Sequence, residues 1–120
     1  MKPIDRTEVQ NAIDSFAGQD VYLHLETTNG AYATHVDEAF FSAGAYIRNA
    51  YIRNAFIQYE HGKIVGDGPY RIGLKLNIGW VYAEGVNHFE MDEQGRLLLA
   101  GLDFSGKLAV SMQLSPTPFE

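Results

Sequence analysis

Residues 46–55 read Tyr-Ile-Arg-Asn-Ala twice in succession. This repeat constrains the fold because five is odd. Side chains alternate faces along a β-strand, so the second copy of an odd repeat lands on the opposite face from the first. Ile47 and Ile52 would point to opposite sides, and so would Arg48 and Arg53. A β-bulge restores parity by inserting one unpaired residue. The alternative is that one copy leaves the sheet as an extended turn. The pattern before the repeat (Phe41, Ala43, Ala45) and after it (Phe56, Gln58) predicts the defect near Asn49–Tyr51, with Arg48 and Arg53 brought to one face.

The flanking sequence supplies the rest of the fold. Asp5 suits an N-cap, with Glu8 three residues on and Ile4 and Val9 placed for a hydrophobic staple. Val9, Ala12, Ile13, Phe16 and Ala17 share one helical face, and Gly18 is a natural stop. The period then changes to two. Val21, Leu23 and Leu25 alternate with Tyr22, His24 and Glu26. Asn29-Gly30 is a strong hairpin signal. Residues 38–56 fit a helix or a strand, and β-branched and aromatic residues favour strand. That strand runs on through Tyr59 to a turn near Glu60-His61-Gly62. Further turns are predicted at Gly66-Asp67-Gly68-Pro69, Asn77-Ile78-Gly79, Asp92-Glu93-Gln94-Gly95 and Asp103-Phe104-Ser105-Gly106, with strands between them and one at Leu108–Leu114. Trp80–Phe89 reads as one strand. The fold class is therefore mostly β: an antiparallel β-sandwich or partly open barrel of about seven strands with one N-terminal α-helix. Residues 1–120 form one expected domain, large enough for a core without staples.

Charge and cysteine usage bound the partners. The formal net charge is −6, and the lysines and arginines are scattered singly along the chain. No basic cluster predicts nucleic acid or anionic membrane as a partner. The chain has no cysteine, which excludes disulfides and thiol chemistry and fits a cytoplasmic location. Neither a signal-peptide core nor a membrane-length apolar run is present.

The sharpest candidate site is His24, Glu26 and His35. A two-residue turn at Asn29-Gly30 would set His24 opposite His35, with Glu26 on the same face. Cross-strand Cβ atoms lie about 5 Å apart, within reach of one ion. Two imidazoles and a carboxylate form a ligand set for zinc or non-haem iron, so a divalent metal would be the cofactor if the three act together. The stronger reading is a solvated polar patch, because Val21, Leu23 and Leu25 take the buried face. Glu84 and His88 share a face of the Trp80 strand and form a weaker acid–base candidate. Arg48 and Arg53 would clamp an anion only if a bulge brought them together. Gly66–Pro69 leads into a strand rather than a helix and reads as a turn, not a phosphate loop.

The segments His24-Leu25-Glu26-Thr27-Thr28, Ala45-Tyr46-Ile47-Arg48-Asn49, Gly68-Pro69-Tyr70-Arg71-Ile72-Gly73-Leu74-Lys75 and Trp80-Val81-Tyr82-Ala83-Glu84-Gly85 together resemble the YojF-like family of small uncharacterised Bacillus proteins. The likeness runs from the Val9-Gln10 helix to Pro118-Phe119. It implies a mostly β fold and no assigned catalytic residue. Genes of that family often lie beside a deacetylase of the bacillithiol pathway. The resemblance thus implies an accessory role in low-molecular-weight thiol metabolism, with a protein partner there. Three functions follow as expectations: a binding or accessory protein that is a homodimer, a small metal-dependent enzyme using His24, Glu26 and His35, and a purely structural interaction module.

Overall fold

The structure is a computed structural model that describes residues 1–27 and 50–120. Within these, nine strands and one helix follow in the order β1 (Lys2–Pro3), α1 (Arg6–Phe16), β2 (Val21–Thr27), β3 (Ala50–Ile57), β4 (Tyr59–Val65), β5 (Tyr70–Leu76), β6 (Trp80–Val86), β7 (His88–Met91), β8 (Leu97–Leu102) and β9 (Leu108–Ser115). They make two antiparallel sheets. One has six strands in the order β1-β7-β8-β9-β2-β3, the other three in the order β4-β5-β6. The mostly β architecture with one N-terminal helix is as the sequence predicts. The two sheets do not close into a barrel, and the strands are nine where about seven were expected.

Three of the nine were not expected: β1, and the two that arise because extended stretches change sheet midway. The strand expected to return from Asn29-Gly30 lies outside the described residues. β3 ends at Ile57 in the six-stranded sheet, and β4 begins at Tyr59 in the three-stranded one. The expected turn at Glu60-His61-Gly62 is therefore strand, inside β4. Likewise Trp80–Phe89 is not one strand. β6 ends at Val86 and β7 resumes at His88 in the other sheet. Asn87 makes that corner: its backbone N–H donates to the Ala100 carbonyl at 2.9 Å, and its side chain holds both polar groups of the Leu102 backbone at 3.0 Å each. Corners of this kind carry a strand from one layer to the next.

α1 begins as its sequence dictates. Asp5 accepts the Glu8 N–H on its side chain at 3.1 Å, and Gly18 takes the left-handed conformation at φ 75°. Val9, Ile13 and Phe16 are buried against the sheets. Gly62 permits the close approach, since a Cβ there would lie 2.6 Å from Ile13 Cγ2. The last turn of a helix leaves carbonyls without intrahelical partners. Buried Tyr59 supplies one, its hydroxyl donating to the Ile13 carbonyl. Burial pushes the Tyr59 phenol's ionisation far above its ordinary range, with the Asp14 charge adding to it. The core then fills with Val21, Leu23, Ile72, Leu74, Phe89, Leu97, Leu99, Met112 and Leu114. At Gly101 the two sheets nearly touch: a Cβ would lie 2.2 Å from the Gly85 carbonyl oxygen.

The second copy of the repeat carries a bulge at Arg53–Asn54, while Ala50 and Tyr51 of the predicted stretch pair regularly and Asn49 lies outside the described residues. The second copy lies in β3. Leu23 pairs with Ala55 and Leu25 with Ile52, so Arg53 and Asn54 both stand opposite His24. Asn54 adopts φ 56°, the left-handed region that asparagine tolerates better than most residues. The bulge keeps Ile52 and Ala55 on the same side as Leu23 and Leu25, where Ala55 packs on the core and Ile52 stays exposed. Residues 46–49 of the first copy, and with them Ile47 and Arg48, lie outside the described residues.

Candidate functional site

His24 sits in the middle of β2, between β9 on one edge and β3 on the other. Its position on the face opposite Val21 and Leu23 predicted exposure, yet it is only 5 % exposed. The cover comes from the end of the chain. The Phe119 ring stands 6.1 Å from the imidazole, and Tyr51 meets it edge-on at 5.3 Å. Asn54 holds this tail in place through the Phe119 backbone. The solvated-patch reading fails for His24 because a distant segment returns across the face.

Arg53 determines what the imidazole can do. Its Nη1 lies 3.1 Å from His24 Nδ1. A guanidinium only donates, so Nδ1 accepts and the ring proton resides on Nε2. That nitrogen faces Glu26, whose Oε2 is 3.5 Å away. The same guanidinium donates through Nη2 to the Glu120 backbone oxygen at 2.6 Å and lies 5.1 Å from the Phe119 ring centroid. Arg96 approaches that ring as well, at 5.7 Å. Nδ1 is therefore taken by a cation, while Nε2 lies near a carboxylate without a hydrogen bond to it. A metal ion at Nδ1 would have to displace Arg53.

Of the predicted ligands, His24 and Glu26 lie side by side. His35 and the Asn29-Gly30 turn are outside the described residues. Among the described residues no three histidine, aspartate or glutamate side chains are grouped as a metal would need. Glu84 and His88 fall in different sheets. Glu84 pairs with Arg71, while His88 Nδ1 contacts Asn87 Oδ1 at 2.7 Å. Phe119 and Asn54 carried no local sequence signal, because their role depends on where the tail folds.

A second surface lies on the outer side of the three-stranded sheet. The register lines up His61, Lys75 and Trp80 in one row, Lys63, Gly73 and Tyr82 in the next, and Val65, Arg71 and Glu84 in a third. Trp80 and Tyr82 are 46 % and 48 % exposed. Their rings are parallel to within 6°, with centroids 5.6 Å apart, and His61 meets Trp80 edge-on at 5.7 Å. Gly73 leaves room for them: a Cβ there would lie 2.9 Å from Tyr82 Cε1. Arg71 lies 5.4 Å from the Tyr82 ring and Lys75 5.9 Å from the Trp80 ring. The alternation of Arg71, Gly73 and Lys75 with Ile72, Leu74 and Leu76 was the available signal for this face.

Comparison with known proteins agrees with this architecture. A protein of Bacillus subtilis (strain 168) described as uncharacterized protein YojF is 47 % identical over 119 residues, covering 99 % of this chain and 98 % of its own. The crystal structure of Bacillus subtilis YojF superimposes with a TM-score of 0.79 at 43 % identity, covering 99 % of this chain and 96 % of that one. The model of a family described as protein of unknown function (DUF1806) matches residues 3–119. The chain belongs to the DUF1806 family, with YojF-like proteins as its relatives.

Proposed function

We propose that the protein acts by binding rather than by chemistry, as a small cytoplasmic accessory protein in low-molecular-weight thiol metabolism. The observation that supports binding is the exposed aromatic and cationic face of β4, β5 and β6, set against a buried His24 whose Nδ1 is taken by Arg53. The thiol pathway enters through the family resemblance, and the acidic, cysteine-free chain fits the cytoplasm. The test is a deletion strain assayed for its bacillithiol pool. Complementation by Glu26→Gln but not by the pair Trp80→Ala/Tyr82→Ala supports a binding role. Failure of a folded Glu26→Gln variant to complement overturns it in favour of chemistry at His24. An unchanged pool in the deletion strain removes the thiol pathway.

The binding unit is a homodimer in this reading. Among the described residues β3 is the end strand of its sheet, with Tyr51 and Phe56 63 % and 62 % exposed, and closed two-fold pairing is the commonest way to cover such a strand. Light scattering at tens of micromolar is the check, and a monomeric mass rejects the dimer.

A further inference from the structure

Lys63, Arg71 and Lys75 are separated along the chain, but strand pairing gathers them on one face around Trp80 and Tyr82. That face carries three permanent cations and His61 against two carboxylates, Glu84 and the exposed Glu60 at the β4 irregularity beside His61, in a chain whose formal net charge is −6. Glu84 is committed to Arg71. Lys63 and Lys75 have no ion-pair partner among the described residues. Local charge is thus reversed relative to the whole molecule at the place where the large aromatic rings are half exposed.

We propose that the outer face of the three-stranded sheet binds short single-stranded nucleic acid, with bases on Trp80 and Tyr82 and phosphates at Lys63 and Lys75. This rests on the reading of the face as a binding surface and names its ligand. Aromatic side chains on an open antiparallel sheet stack unpaired bases, whose π-faces are available only in a single strand. Cations beside the rings match the phosphates that accompany each base. The three rows span about 10 Å across the strands and about 14 Å along them, room for roughly two or three bases. The surface is open and flat. One mononucleotide would gain a single stack there, whereas a strand gains several along with its phosphates.

Trp80 is the one tryptophan in the chain, so its fluorescence reports directly on the site. The full chain is titrated with a thymidine hexanucleotide. The expected result is saturable quenching whose logarithmic salt dependence has a slope of roughly −1.4, as two neutralised phosphates give for a single strand. Tyr82→Ala weakens binding about tenfold, the effect of one lost stack. Lys75→Ala weakens it and flattens the salt slope by about half. Each variant is first shown to melt like the parent protein. If Tyr82→Ala does not fold, Lys75→Ala and Lys63→Ala decide the matter. No quenching at millimolar oligonucleotide overturns the proposal. So does equal affinity for thymidine monophosphate, equal affinity for duplex, or quenching that neither lysine variant changes. If the titration fails while the Trp80→Ala/Tyr82→Ala pair still does not complement in cells, the face binds something else and only the ligand assignment falls.

Discussion

Asn54 holds the backbone of Phe119 at both of its polar groups: Nδ2 donates to the carbonyl at 2.8 Å, and Oδ1 accepts the N–H at 2.6 Å. One side-chain amide thus stands in for a strand partner at the point where the tail crosses His24. The bulge makes this possible, because the left-handed φ of 56° occurs at the residue left over in the ladder.

Replacing Asn54 should separate the clamp from the backbone strain. Asn54→Gly removes two hydrogen bonds, each contributing about 1 kcal/mol, but suits the left-handed conformation. Asn54→Ala removes the same bonds and adds roughly 1 kcal/mol for the unfavourable φ. Thermal melts should rank parent above Asn54→Gly above Asn54→Ala, with about 5 °C or more between the outer two. Equal melting of the two variants would show that the strain is negligible.

Arg53→Lys tests whether the guanidinium fork matters or only its charge. Arg53 serves the His24 Nδ1 atom, the Glu120 backbone oxygen and the Phe119 ring together. An ammonium is a compact point charge and cannot span those three partners. Long-range proton–nitrogen spectra of the parent should show His24 protonated on Nε2 and unprotonated on Nδ1. The lysine variant should lose that single tautomer and melt several degrees lower. A parent spectrum with the proton on Nδ1 would contradict the hydrogen-bond direction.

The acid limb of stability should depend on Asp92. Burial alone would raise its pKa. The Arg96 N–H, the Arg96 side chain at 2.6 Å and the Gln94 N–H outweigh this, holding the carboxyl below its ordinary value of 3.8. A carboxylate depressed in the folded state contributes stability above its unfolded pKa, and that contribution disappears as pH falls through the folded value. Asp92→Asn should therefore melt below the parent at pH 7, and the gap should close as pH drops below about 4. A gap that stays constant down to pH 2.5 would assign the effect to hydrogen-bond geometry rather than charge.

What could be read from the sequence was local. Asp5, Glu8 and Gly18 mark α1 within a few residues of where they act. Asp92 and Asp103 mark their hairpin turns in the same way, each accepting two backbone N–H groups across the turn, with glycines at φ 74° and 79°. The corners at Gln58 and Asn87 were not legible. Alternation continues through Trp80–Phe89, and only the Leu102 backbone, brought up by another strand, makes Asn87 a corner. The environment of His24 was hidden for the same reason. Periodicity assigned it to a wet face, but the cover is Phe119, and nothing near residue 24 announces the tail. The cationic face was legible in part: alternation along β5 puts Arg71 and Lys75 on one side, but Lys63 joins them only once the register of β4 and β5 is known.

The repeat yields the last prediction. β3 reads Ala-Tyr-Ile-Arg-Asn-Ala-Phe-Ile over Ala50–Ile57. Deleting residues 51–55 joins Ala45-Tyr46-Ile47-Arg48-Asn49-Ala50 to Phe56-Ile57, which is the same eight-residue sequence. Deleting residues 46–50 gives an identical chain. The shortened protein therefore retains an arginine to meet His24 Nδ1, an asparagine for the Phe119 backbone and the residues that pair with Val21–Thr27. Only the connection leading into β3 becomes five residues shorter. A few residues more or fewer between two paired strands alter the closure entropy by a fraction of a kcal/mol. The deletion should then fold, show the same His24 tautomer and melt within about 3 °C of the parent. Arg53→Ala/Asn54→Ala in the full-length chain should melt at least 5 °C lower, since it removes the contacts that the deletion preserves. If the deletion destabilises the protein more than that double substitution, the first copy carries contacts of its own and the duplication is part of the structure rather than a tolerated insertion.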